Sequence, residues 1–138
     1  MTEQEMTEEE MLSLMKRFRV AYARADREAL LACTTEDFIW QQHNAHTPQD
    51  VPNGRVLVGV DALLDEVAWR GEHWSEVSYD GLEERSAGDL LVQTFTISGR
   101  EDGQPFQARA VDLYPVREGR IAMKDTYWKY QPPDTASS

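Results

Sequence analysis

Met11, Leu14, Met15, Phe18, Tyr22 and Ala25 recur at helical intervals and so share one face. Thr7 and Glu10, just ahead of them, have the spacing of a capping box, and the predicted helix covers about Glu8 to Arg24. Asp26 is placed to cap a shorter second helix running to about Cys33, because its carboxylate reaches the amides two and three residues on. Thr34 to Asp37 ends it, and Phe38, Ile39 and Trp40 favour a strand. Asn44 to Gly54 carries Pro48, Pro52 and no apolar period, which reads as a long loop. After Gly59, the stripe Val60, Leu63, Leu64 and Val67 predicts a third helix, with Gly71 as its stop.

Everything from Trp74 onward reads as strand: Trp74 to Glu84, Asp89 to Arg100, Pro105 to Val116 and Arg120 to Tyr130. Ala87-Gly88, Asp102-Gly103 and Glu118-Gly119 separate them as hairpin turns. Three helices, one early strand and a four-strand antiparallel meander make an α+β chain whose sheet must be covered on one face by the helices. Such a curved antiparallel sheet wrapped around three N-terminal helices is a cone. Pro132 to Ser138 has too little apolar surface to fold and reads as a disordered tail, which leaves 1–131 as a single domain.

Composition removes several function classes. The chain has 138 residues and 41% apolar content, enough for one real core, and no apolar run approaches the length of a membrane helix. Its net charge of −11 repels a phosphate backbone, so nucleic acid is not expected as a partner. The acidic start lacks the pattern of a secretory signal, and the single cysteine, Cys33, fits a reducing cytoplasm. Neither a nucleotide-binding glycine fingerprint nor a nucleophile elbow is present, so no dinucleotide cofactor or serine nucleophile is indicated. His43 and His46 have a spacing that suits zinc only on a helix, and no third ligand is indicated, so no metal is expected.

Several short runs carry a resemblance in order and spacing. They are Leu14-Met15-Lys16-Arg17-Phe18 with Ala25-Asp26, then Asp102-Gly103-Gln104-Pro105, Val111-Asp112-Leu113, Glu118-Gly119-Arg120-Ile121 and Tyr127-Trp128. Over about Glu8 to Tyr130 the chain resembles the nuclear-transport-factor-2-like superfamily, in its SnoaL-like and ketosteroid-isomerase-like branch. The resemblance implies a deep apolar pocket inside the cone, in a fold that hosts isomerases, cyclases, dehydratases, epoxide hydrolases and non-catalytic binders. In the isomerases a carboxylate base, a tyrosine and a neutral acid act on an enolate. Carried over, the acid falls on Asp112, the tyrosine on Phe18 and the base on Gln42. Phe18 has no hydroxyl and Gln42 cannot take a proton, so ketosteroid isomerisation by that mechanism is rejected. Limonene epoxide hydrolases use an Arg-x-Asp pair, whereas Arg109 and Asp112 point to opposite faces of their strand. His43, His46 and His73 fall in no aligned dehydratase motif.

The resemblance walls the pocket with Phe18, Phe38, Trp40, Ala110, Tyr114 and Trp128, and gives it Gln42, Asp112, Lys124 and Thr126 as polar points. Two function classes then stand. One is a protein that binds a small apolar or aromatic molecule and rearranges a carbonyl compound, with Asp112 as acid or base, Gln42 as orienter and His43 as a relocated base. The other is a non-catalytic binding or assembly module with a vestigial pocket. A cavity above about 300 Å³ favours the first. On either reading Asp112 has a structural alternative, a buried ion pair.

Two expectations concern the sheet. Leu90 and Val92 point away from Leu91, Phe95 and Ile97, so both faces are apolar, and pairing of sheets in an isologous homodimer is expected. Val116 to Arg120 fits a three-residue hairpin loop with Val116 facing Arg120. Counting back puts Asp112 opposite Lys124, on the same face as Thr126 and Trp128, as an ion pair.

Overall fold

A computed structural model describes residues 6–43 and 54–131. The loop and His46 within 44–53, and the tail 132–138, lie outside the described residues. Helix α1 (Glu8–Ala23) starts on a complete capping box: the Thr7 hydroxyl accepts from the Glu10 amide at 3.0 Å, and the Glu10 carboxylate accepts from the Thr7 amide at 2.9 Å. Helix α2 (Arg27–Cys33) is capped by Asp26, which accepts from the Ala29 amide. Strand β1 (Thr34–His43) follows without the expected break, because the Thr34 hydroxyl donates to the Leu30 carbonyl at 2.8 Å and ends the helix within one residue.

A short strand, β2 (Arg55–Val58), pairs antiparallel with β1 where no strand was expected. Four residues between a loop and a helix are too few to show an alternation. Helix α3 (Gly59–His73) runs past Gly71, whose φ is not positive, so the glycine sits as an ordinary helical residue and the helix stops at Trp74. The meander is β3 (Trp74–Ala87), β4 (Leu90–Glu101), β5 (Gln104–Arg117) and β6 (Arg120–Gln131). The sheet order is β2-β1-β6-β5-β4-β3, antiparallel except that β1 runs parallel to β6. Register shifts in β3, at Ser75/Ser78 and Asp80/Glu83, bend that strand over the helices and curve the unclosed sheet into a cone.

The last hairpin differs from the expected one. Arg117 pairs with Arg120 across a two-residue turn, in which Glu118 and Gly119 both have positive φ (54° and 75°), as a type I′ turn requires. A register shift between Leu113 and Val116 then inserts one residue on β6, and Asp112 lies opposite Thr126 instead of Lys124. Side chains alternate along both strands, so the two-residue displacement returns Lys124 to the inward face.

The core fills one end of the cone, where Met11, Leu14, Met15, Leu30, Leu63, Leu91 and Ile121 are all buried. Phe18 and Tyr114, with ring centroids 5.4 Å apart, belong to this core and also form the floor of a cavity beyond it.

Candidate functional site

The cavity has a volume of about 550 Å³. Tyr22 extends the α1 stripe one turn past Phe18 and supplies one wall, while Val67 and Arg70 come from α3. Alternate residues of β4 (Gln93, Phe95, Ile97), β5 (Asp112, Tyr114) and β6 (Lys124, Thr126, Trp128) supply the sheet wall. It opens along β3, where the lining residues Val77, Tyr79 and Leu82 are exposed.

A polar network lies against this aromatic wall. Lys124 Nζ donates to Asp112 Oδ2 at 3.1 Å and to the Tyr114 hydroxyl at 2.9 Å. The Thr126 hydroxyl donates to Asp112 Oδ1 and accepts from Trp40 Nε1 at 2.8 Å. The Tyr114 hydroxyl donates to Gln93 Oε1, Gln93 Nε2 donates to Glu84, and Glu84 is paired with Arg19 at the rim. Asp112 is 1% exposed and Lys124 6%, so the charges are held by each other and by these hydrogen bonds instead of by bulk water. Lys124 Nζ also lies 4.9 Å from the Tyr22 ring centroid and 5.2 Å from those of Trp40 and Tyr114.

A second buried cation, Arg70, stands 4.8 Å from the Trp40 ring centroid, 4.4 Å from Trp74 and 5.5 Å from Trp128. Its Nε donates to Glu66 at 3.2 Å, and Glu66 also accepts from Arg55 and Gln42. Arg70 thus gathers three indoles around one planar charge and ties α3 to the sheet wall.

The structure brings Phe18, Trp40, Tyr114, Trp128, Asp112, Lys124 and Thr126 together around the cavity. Phe38 packs in the core behind Phe18, and Ala110 is buried on the inward face of β5 without lining the cavity. Gln42 is turned to Glu66 at 3.4 Å. His43 lies on the opposite face of β1, stacked on Tyr127, with Nε2 3.3 Å from Asp125. Among the described residues no group of His, Cys, Asp or Glu is placed to hold a metal ion. Cys33 is buried in the core, and no described helix is long and apolar enough to cross a membrane.

Sequence reasoning missed Tyr22, Arg70, Trp74, Tyr79, Gln93 and Phe95. Arg70 follows Leu63 and Val67 at helical spacing, so a cation on an apolar stripe was a usable signal. Gln93 alternates with Leu91, Phe95 and Ile97 in the same way on its strand.

The site gives folding a definite pH dependence. Burial raises the Tyr22 and Tyr114 hydroxyls above the ordinary tyrosine value, with Asp112 adding to the effect on both. The folded chain therefore keeps phenolic protons that the unfolded chain loses, and stability falls as pH climbs past about 10. Lys124 has the opposite sign. Burial lowers it, the folded state releases its proton first, and stability rises with pH between the folded value and the ordinary value of 10.5. In a Cys33→Ala variant, which removes a buried thiol whose raised pKa would add its own decline from about pH 9, the melting temperature is expected to hold or rise from neutrality to about pH 10 and then fall steeply. Calorimetry across this range checks it, and a decline that sets in below about pH 9 would contradict the assignment.

The architecture is shared with solved structures. A nuclear-transport-factor-2-like protein of Burkholderia xenovorans is 24% identical over 90% of this chain and 92% of its own, with a TM-score of 0.74. A protein of ketosteroid isomerase-like fold from Catenulispora acidiphila, crystallised with trimethylamine, is 17% identical over 84% of this chain and 85% of its own, with a TM-score of 0.63. A candidate polyketide cyclase of Xanthomonas campestris pv. campestris is 16% identical over 88% of this chain and 92% of its own, with a TM-score of 0.65. No curated protein is a significant match. These likenesses show the fold, and the model of the SnoaL-like domain matches residues 15–123, from α1 into β6. The chain therefore belongs to the SnoaL-like domain family.

Proposed function

We propose that this protein binds a small, flat, apolar or aromatic carbonyl compound in the cone and moves a proton on it through Asp112, in an isomerisation, cyclisation or dehydration. The observation that carries this reading is the buried Asp112–Lys124 pair set into the wall of an aromatic cavity of about 550 Å³. That volume exceeds the roughly 300 Å³ expected of a ligand site, and a vestigial pocket would be filled by the same aromatics. The candidate polyketide cyclases among the structural relatives are consistent with carbonyl chemistry. The resemblance sets Phe18 and Gln42 at the positions of the isomerases' tyrosine and base, so the reaction proposed here does not follow their mechanism. The test uses 2-indanone and β-tetralone, flat ketones with exchangeable α-protons. Deuterium incorporation followed by NMR is expected to run at least about 10²-fold faster with the wild type than with Asp112→Asn. Equal rates would refute the proton-transfer role.

The outer sheet face supports a homodimer. Val111 and Tyr127 face each other across β5 and β6 and are 37% and 42% exposed, with the half-buried Val92, Leu113 and Met123 beside them. Two such faces cover one another in an isologous pair. Sedimentation at tens of micromolar is expected to give twice the 15.8 kDa chain mass, and Val111→Lys is expected to shift it to the single-chain value. A wild type that sediments as one chain would end the proposal.

A further inference from the structure

Lys124 is unlike the other lysines of the chain. Lys16 and Lys129 are exposed, whereas Lys124 is 6% exposed and lines the cavity. An ammonium in such a place needs a reason, because a buried ion pair is often replaceable by apolar residues of similar volume at no loss of stability. Its surroundings supply one. Two of its three N–H donors are taken by Asp112 and Tyr114, and the rings of Tyr22, Trp40 and Tyr114 pack around Nζ. Tyr114 is anchored in turn by Gln93, and Asp112 by Thr126, so nitrogen, carboxylate and phenol have set positions. An amine that lines an apolar cavity beside a proton acceptor has the elements of a carbonyl-attacking nucleophile.

We infer that Lys124 forms a reversible Schiff base with an aldehyde or ketone bound in the cavity, an inference that rests on the reading of the cavity as a site for carbonyl compounds. Asp112 takes a proton from the Lys124 ammonium, and the freed nitrogen lone pair attacks the carbonyl carbon while the carbonyl oxygen takes up that proton. The carbinolamine loses its hydroxyl as water, using a second proton from nitrogen passed through Asp112. Ammonium and carbonyl have then become a protonated imine and one water, and Asp112 is again a carboxylate. The imine acidifies the neighbouring C–H, which Asp112 is placed to accept. Burial of Lys124 lowers its proton affinity and so favours the free amine, although Asp112 pulls the other way.

The test incubates the full chain with 2-naphthaldehyde and sodium cyanoborohydride, which reduces an imine to a stable secondary amine, and maps the adduct by peptide mass spectrometry. Lys124 is expected to carry the naphthylmethyl group at least about tenfold above Lys16 and Lys129, despite being the least exposed of the three. Lys124→Arg is expected to remove that adduct and leave labelling of the other two unchanged. Labelling of Lys124 at or below the level of Lys16 and Lys129 would overturn the inference. Tryptophan emission during titration with the same aldehyde separates the two claims. Saturable quenching without a Lys124 adduct defeats the Schiff base and leaves the cavity reading intact, and absence of both defeats both.

Discussion

Asp112→Ala is expected to destabilise the fold by about 3–5 kcal/mol, measured by urea unfolding near neutral pH, because it leaves the Lys124 ammonium buried without its counter-charge. Lys124 keeps only the Tyr114 hydroxyl and three aromatic faces, and Thr126 loses its acceptor. The loss should shrink as pH rises, since a buried amine escapes the penalty by releasing its proton. The partner change is just as informative. Asp112→Val combined with Lys124→Met removes both charges and is expected to return stability to within about 1–2 kcal/mol of the wild type. A single variant that loses under about 1 kcal/mol would mean that the pair is solvated and the site wetter than its burial implies.

Arg70→Met is expected to cost about 2–4 kcal/mol, combining a broken buried ion pair with lost attraction to the three indoles. The cost stays below that of a bare charge because Glu66 retains Arg55 and Gln42. Arg70→Lys should recover little, since an ammonium cannot reproduce a planar group stacked against Trp40 and Trp74 while bonded to Glu66. Tryptophan emission reports the same event, because Trp40, Trp74 and Trp128 all lose one neighbour at once. Full rescue by lysine would show that charge alone, without stacking, organises this wall.

The Asp112–Lys124 pair shows how far one sequence carries and where it stops. Asp112 was expected on the same inward face as Ala110 and Tyr114, and all three are buried. The pair itself was expected from a three-residue loop and a direct cross-strand position. The structure instead has a two-residue turn plus one inserted residue on β6. Two displacements of one residue preserve the face and shift the pairing, and a lysine is long enough to span the diagonal. Neither the bulge nor the positive φ of Glu118 leaves a composition signal, so the face was legible and the register was not.

The same division holds elsewhere. Local chemistry sufficed for the Thr7 and Asp26 caps and for the Asp102-Gly103 turn, because each rests on contacts a few residues apart. Strand β2 and the parallel pairing of β1 with β6 depend on segments far apart in the chain, and four residues of β2 offer no period to read. Gln42 and His43 were marked by their place in the aligned strand. Glu66 on α3 draws Gln42 out of the cavity lining, and His43 follows the alternation to the other face. The position of α3 against β1, which also brings Arg70 among the tryptophans, is tertiary information that no single segment holds.

A cone that binds a flat aromatic carbonyl compound must show it in equilibrium binding. Titration with β-tetralone should quench tryptophan emission saturably, since Trp40, Trp74 and Trp128 line the cavity. At about 100 times the dissociation constant, the ligand should raise folding stability by about 2.7 kcal/mol. Leu82→Trp, which places an indole at the mouth of the cavity, should weaken binding severalfold without unfolding the chain. Saturable quenching that Leu82→Trp weakens is expected; no saturable quenching by any flat aromatic ketone or aldehyde, or an affinity untouched by Leu82→Trp, would mean that the cone is not the binding site.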